Sequence, residues 1–194
     1  MAAGASKRMH GVKQLLRWKN SNFLLETVKT VQGSKAASIL VVLGSNAEKI
    51  SGECHLAEKG IPTILNPHWA KGLGNSIAAG VKEVLHKQNE VGGIMICLTD
   101  QPLLSSEYLN SIIDQFENNP TKIIATNYGK KRGVPALFPK SLFDALAQLE
   151  GDQGAKDLLN ESTKDILSMD GKNQIIDIDT KEEYDHLLKQ FNNQ

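Results

Sequence analysis

The chain has 194 residues, with 22 Lys+Arg balanced by 22 Asp+Glu and a 40% hydrophobic share. That length suits one domain over residues 1–194, long enough to bury a core. The balanced charge gives no global pull toward nucleic acid or an anionic membrane, and no apolar run approaches the ~20 residues of a membrane span.

No apolar h-region follows the N-terminus, so no secretory signal is read. The two cysteines, Cys54 and Cys97, lack metal-ligand spacing, and Cys97 sits inside an apolar run. A reducing, cytoplasmic setting is expected.

In chain order, the first notable stretch is Met1-Ala2-Ala3-Gly4-Ala5-Ser6-Lys7-Arg8-Met9, followed by Lys13. Small residues from Ala2 to Ser6 allow a backbone turn to approach a ligand, and Gly4 adds conformational freedom. Amides of such a turn suit phosphate oxygens, and Arg8 and Lys13 add two cations. A frayed, solvated tail is the competing reading.

Phe23, Leu24, Thr27, Val28 and Val31 then share one helical face, with Gly33 as a stop. Apolar runs of strand length follow at Ile39–Gly44, Ile61–Leu65, Ile94–Leu98, Lys122–Thr126 and Gln174–Ile178. Helical patterns alternate with them at Ser76–His86, after a Ser105 or Ser106 cap, at Ser141–Leu149 and at Thr180–Leu188. This alternation predicts an α/β domain with a mostly parallel sheet. Ligands of such sheets bind beyond the carboxyl ends of the strands.

Three loops stand at predicted strand ends. Leu98-Thr99-Asp100-Gln101-Pro102 offers a carboxylate suited to Mg²⁺, or simply a turn. Asn66 to Ser76 is long and polar; its glycines permit close approach, its Asn and Ser suit base edges, and Trp69 plugs the loop onto the core. Asp177-Ile178-Asp179-Thr180 either caps the next helix or supplies a second carboxylate beside Asp100. The chain contains no P-loop pattern, nucleophile elbow or H-E-x-x-H, and Gly72-x-Gly74 lacks the third glycine of a dinucleotide fingerprint, which argues against a nicotinamide enzyme.

Taken in order, these segments resemble the MobA-like nucleotidyltransferase family, in particular its molybdenum cofactor cytidylyltransferase branch. The branch's opening L-A-A-G-x-S-x-R-M-G-x-x-K-x-L-L corresponds to Met1 through Leu16. Its N-P-x-W-x-x-G-x-x-x-S-[LI]-x-x-G corresponds to Asn66 through Gly80, and its D-Q-P to Asp100-Gln101-Pro102. G-x-P-x-L-F falls at Gly133–Phe138, G-D-x-G-A-[RK] at Gly151–Lys156, and D-I-D-T-x-E-[DE]-[YL] at Asp177–Tyr184. Six motifs in order cover nearly the whole chain.

The resemblance implies a Rossmann-like three-layer sandwich that binds a nucleoside triphosphate and Mg²⁺. It implies transfer of a nucleoside monophosphate, here from CTP, to a phosphorylated acceptor, here molybdopterin, with release of pyrophosphate. GTP, a sugar phosphate acceptor, or a nucleotide-binding protein with little catalysis are the alternatives. A molybdoenzyme or its chaperone is an implied partner.

Carried over by position, Ala2, Ala3, Gly4 and Ser6 hold phosphate and base, and Arg8 and Lys13 neutralise the triphosphate. Asn66, Gly72 and Ser76 line the nucleotide pocket. Asp100 holds Mg²⁺, with Asp179 preferred over Asp177 as the second carboxylate.

Departures from the pattern are His10 in place of a glycine and Val134 where the branch often has His; Lys7 occupies a variable position and is expected to tolerate substitution. The family's first strand is absent ahead of Ala2, which leaves the cradle without an anchor. The expectation is a longer natural protein with apolar β-branched residues upstream of Met1.

Overall fold

The computed structural model describes residues 1–6, 8–9, 11–87, 90–161 and 165–192. Lys7 and His10, both read above, lie outside the described residues.

A two-residue hairpin, β1 (Arg17–Trp18) and β2 (Ser21–Asn22), leads into α1 (Phe23–Gln32). Asn22 caps α1 by accepting the Leu25 amide at 2.9 Å. Gly33 ends it with φ −78°, so no left-handed cap is used. Next come β3 (Val41–Leu43), α2 (Ala47–Cys54), β4 (Thr63–Leu65), α3 (Leu73–Lys87) and β5 (Gly93–Ile96). The rest comprises α4 (Ser106–Asn118), β6 (Ile123–Asn127), β7 (Arg132–Pro139), α5 (Phe143–Ala147), α6 (Lys156–Glu161), β8 (Ile166–Asp170) and α7 (Lys181–Asn192). No helix among the described residues is long and apolar enough to cross a membrane.

β3 pairs with β4 in parallel. A second sheet runs in the order β5-β7-β6-β8, parallel between β6 and β8 and antiparallel on both sides of β7. Met1–Ala3 joins the two sheets. Ala2 donates to the Val42 carbonyl and Ser45 to the Ala3 carbonyl. On the other side, the Met1 nitrogen donates to the Cys97 carbonyl at 2.6 Å, and the Thr99 amide donates to the Met1 carbonyl. The expectation of an unanchored cradle is therefore corrected: both flanks of Met1–Ala3 are hydrogen-bonded.

Side-chain alternation gives three layers. Ile123 and Ala125 of β6 and Ala136 and Phe138 of β7 pack with Ile77, Val81, Phe143, Leu146 and Leu159 from α3, α5 and α6. The intervening Ile124 and Leu137 meet Tyr108 and Ile112 of α4 on the opposite face. Val41 and Leu43 of β3 pack with α1 and α2, whereas Val42 abuts Gly80 of α3. Helices thus cover both faces, as a Rossmann-like layer requires.

The last strand differs from expectation. Residues 174–178 do not pair; β8 at Ile166–Asp170 fills that place beside β6. Gln174 ends a 3₁₀ turn, and Ile178 instead buries itself against Trp18 and Leu187. Helix α3 also starts at Leu73, three residues before Ser76.

Candidate active site

The Ala2–Ser6 loop hangs from the carboxyl end of the sheet, where Met1–Ala3 passes between β3 and the segment after β5. Its shape is set by Gln14, which is buried. The Gln14 carboxamide donates to the carbonyls of Ala2 at 3.0 Å and Gly4 at 3.1 Å. The Ala3 carbonyl accepts from Ser45. Three successive carbonyls are therefore tied to the protein, so the loop does not turn these acceptors toward an anion. Ser6 Oγ receives the Lys13 amide at 3.1 Å and ties the loop to the turn that carries Lys13. The left-handed residue is Ser6, with φ 54°, rather than Gly4. Gly4 supplies bare backbone, with open space where a Cβ would stand.

Lys13 reaches across the cleft. Its Nζ donates to Asp100 Oδ2 at 3.0 Å and to Asp179 Oδ1 at 2.8 Å. Arg8 pairs with the other Asp179 oxygen at 2.8 Å. Burial alone would lower the Lys13 ammonium; Asp100, then Asp179, outweigh it and hold its pKa above the ordinary value. Burial alone would raise the Asp179 carboxyl; Lys13, then Arg8, outweigh it and hold the pKa below the usual carboxylate range. Asp100 Oδ1 is buried and has no hydrogen-bond partner among the described residues. Of the four oxygens of Asp100 and Asp179, the other three are held by Lys13 and Arg8, so Asp100 Oδ1 is the one hard acceptor left over.

Asp179 is free for this contact because it does not cap α7. Thr180 does, accepting the Glu183 amide at 3.2 Å. The Glu183 carboxylate in turn accepts the amides of Asp179 and Thr180, which completes a capping box.

The opposite wall is the start of α3. Gly72 has φ +113°, and a Cβ there would stand 2.3 Å from the Gly151 carbonyl carbon. A Cβ on Gly74 would meet the Glu150 backbone at 2.5 Å. The Gly74 amide donates to the Gly151 carbonyl, and the Gly151 amide to Asn75 Oδ1. These glycines therefore admit the 150–152 loop as well as bordering the cleft, and they bring Asp152 to its edge. Trp69 lines the cleft half-buried, stacked over Gly44, so it is more than the plug expected.

The cleft encloses about 460 Å³. It brings together Ala2, Ala3, Gly4, Ser6, Arg8, Lys13, Gly72, Ser76, Asp100 and Asp179. Asn66 is the exception and a correction: it is buried behind the wall, donating to Ser76 Oγ at 3.0 Å and accepting the His68 amide. It positions Ser76 rather than facing the cleft. A second concavity, of about 540 Å³, lies between α2 and β4 and contains none of the motif residues, so the chemistry is assigned to the smaller cleft.

Asp177 points elsewhere. Its Oδ1 accepts from the Gln101 carboxamide at 2.8 Å, and burial raises its carboxyl above the usual range. Gln14, Gln101 and Asp152 are site residues that the motif reading passed over, although each lies within a quoted motif. Their signal in the sequence is position only, since Gln and Asp side chains in loops are ordinary.

Over residues 1–166 the chain matches the family model described as the MobA-like NTP transferase domain. The purine catabolism protein PucB of Bacillus subtilis is 30% identical, over 95% of this chain and 92% of that protein. A probable molybdenum cofactor guanylyltransferase of Bacillus cytotoxicus is 26% identical, over 97% and 94%. Among solved structures, the complex of Rv0371c from Mycobacterium tuberculosis with manganese is 26% identical. It superposes with a TM-score of 0.74 over 93% of this chain and 95% of that one.

Proposed function

The chain belongs to the MobA-like NTP transferase family and is a nucleotidyltransferase, and on that premise we propose that it transfers the CMP moiety of CTP to the phosphate of a molybdopterin-type acceptor. The observation that carries this reading is the convergence of Lys13 on Asp100 and Asp179 beside the Ala2–Ser6 loop. In the reaction an acceptor phosphate oxygen bonds to the α-phosphorus. The bond from that phosphorus to the bridging oxygen of the leaving pyrophosphate breaks, and the electron pair leaves with it.

Each residue has a task in this scheme. The loop at Ala2–Ser6, its carbonyls tied down by Gln14 and Ser45, offers its backbone to the triphosphate. Lys13 and Arg8 neutralise charge that accumulates on the leaving pyrophosphate. Asp100 and Asp179 fit a Mg²⁺ ion, and the unpartnered Asp100 Oδ1 supports that assignment. When bound, the ion supplies positive charge to the phosphate oxygens. Ser76, fixed by Asn66, and Gly72 border the base. The acceptor phosphate is already ionised at neutral pH, so no strong general base is required.

The choice of CTP rests on the N-P-x-W-x-x-G-x-x-x-S run at Asn66–Ser76. A relative named as a guanylyltransferase favours GTP as the second reading. The test is pyrophosphate release from each of the four ribonucleoside triphosphates with Mg²⁺, with and without molybdopterin. Release that requires molybdopterin and is fastest with CTP is expected. A preference for GTP would replace the base assignment, and no release with any triphosphate would overturn the reading.

A further inference from the structure

Gln101 is buried at 2% exposure, directly after Asp100, and points away from the cleft. Its amide nitrogen lies 2.6 Å from the Tyr128 hydroxyl, 2.8 Å from Asp177 Oδ1 and 3.1 Å from the Val134 carbonyl. The orientation of this carboxamide is settled by chemistry: Asp177 and Val134 present acceptors only, so the nitrogen must face them. Its Oε1 is buried with no partner among the described residues. A buried amide with an unsatisfied oxygen is costly, and an apolar side chain of similar size would avoid that cost. Packing does not account for the glutamine.

Its partners suggest what does. Asp177 begins the three-residue segment that ends at Asp179. The middle residue, Ile178, is buried in the core and donates its amide to the Asp100 carbonyl at 2.9 Å. Gln101 thus ties the first residue of this segment, and the Asp100 backbone ties the second. The third is then delivered to Lys13, which also holds Asp100. Tyr128 supports the amide from the far side and itself donates to the Val134 carbonyl.

We propose that Gln101 is a positioning residue: through its bond to Asp177 it sets the placement of Asp179 relative to Asp100, and so the cation affinity of the carboxylate pair. This inference rests on the nucleotidyltransfer reading with a divalent cation. Partners one shell outside a metal site commonly alter affinity by about 10–100-fold when removed.

The test uses Gln101→Glu, which sets two carboxylates against each other, and the same change combined with Asp177→Asn, which restores an amide–carboxylate pair with its polarity reversed. Two quantities are read: the Mg²⁺ concentration for half-maximal pyrophosphate release, and Mn²⁺ binding followed by electron paramagnetic resonance with a non-hydrolysable CTP analogue. Both midpoints are read below the unfolding transition of each variant, checked by its melting temperature, because a partly unfolded population would raise them as well. Gln101→Glu is expected to raise both by about tenfold or more, and the pair of changes to recover part of that loss, because the new carboxylate still faces the Val134 carbonyl. Unchanged cation midpoints in Gln101→Glu, or a doubly changed protein no better than the single variant, would overturn the proposal. Failure of the unaltered chain to release pyrophosphate at all would instead overturn the reading on which it rests.

Discussion

Lys13 and Asp100, 87 residues apart in sequence, meet at 3.0 Å between Nζ and Oδ2. Lys13 sits on the turn that follows the N-terminal loop, and Asp100 at the end of the segment leaving β5. Their contact links the turn after the N-terminal loop to the loop after β5, and both side chains line the cleft.

Removal of the carboxylate at this junction separates chemistry from folding. Asp100→Ala is expected to lower the rate of pyrophosphate release by about 10²–10³-fold or more, the scale for losing a charge-organising group. The melting temperature should change little, because the side chain is partly solvated and Lys13 retains Asp179. A near-normal rate would remove Asp100 from the machinery.

Gln14 should matter for nucleotide affinity without touching nucleotide. Gln14→Leu leaves the Ala2 and Gly4 carbonyls without their donor. Lost stability of about 1–3 kcal/mol is expected, with weaker CTP binding by calorimetry. Gln14→Glu should be worse than Gln14→Leu, since a carboxylate facing two carbonyls is repelled by both. Equal CTP affinity in all three proteins would show that the loop keeps its shape unaided.

Gly72→Ala tests the packing of the 150–152 loop. The new methyl would have to occupy space held by the Gly151 carbonyl, at a φ that side chains rarely adopt. Strain of this kind costs about 1–3 kcal/mol, so a drop in melting temperature is expected. Gly52→Ala, where the added methyl meets nothing, is the control and should be close to neutral or stabilising. The same small effect at both positions would contradict the geometry.

The ion-pair cluster also predicts a pH signature. The Asp179 carboxyl has a folded pKa below its unfolded value near 3.8. Its contribution to stability is therefore complete above the unfolded pKa and is lost as pH falls through the folded one. The stability difference between the native chain and Asp179→Asn, measured by urea unfolding, should be constant from about pH 5 to 8 and shrink below about pH 4. A difference that grows on acidification would reverse the assignment.

Much of this architecture was legible because strands covered on both faces are written as continuous apolar runs. Ile39–Gly44 became β3 with both ends trimmed, and Ile94–Leu98 became β5, shifted to Gly93–Ile96; the expected parallel neighbour of β5 is instead the antiparallel β7. β7 was not legible as a strand, since Gly133 and Pro135 argue against one. The register shift between Ala125 and Thr126 explains their presence: Val134 and Pro135 fall within the irregularity, where a missing amide is tolerated. The apolar run at 174–178 misled for the opposite reason. Ile178 is buried by α7 and the hairpin, while Ile176 is 45% exposed, so the segment packs without joining a sheet. Helix α2 carries only Ile50 and Cys54 as a buried stripe, too narrow to stand out.

In the site, the charged residues could be read from motif order, because Arg8, Lys13, Asp100 and Asp179 each stand at a defined position of a quoted motif. The stitches that hold them could not. Gln14 and Gln101 act by pointing inward at backbone and carboxylate, and side-chain direction in a loop leaves no periodic trace in sequence.

The central claim is nucleotidyl transfer at the Lys13–Asp100–Asp179 cleft. Its most direct test is the fate of the α-phosphate of CTP labelled at that position, followed with Mg²⁺ and molybdopterin. The account predicts that the label passes into a cytidine–pterin dinucleotide in step with unlabelled pyrophosphate, and that Asp100→Ala stops both. Label remaining in free nucleotide with every nucleoside triphosphate, each labelled at the same position, would contradict it.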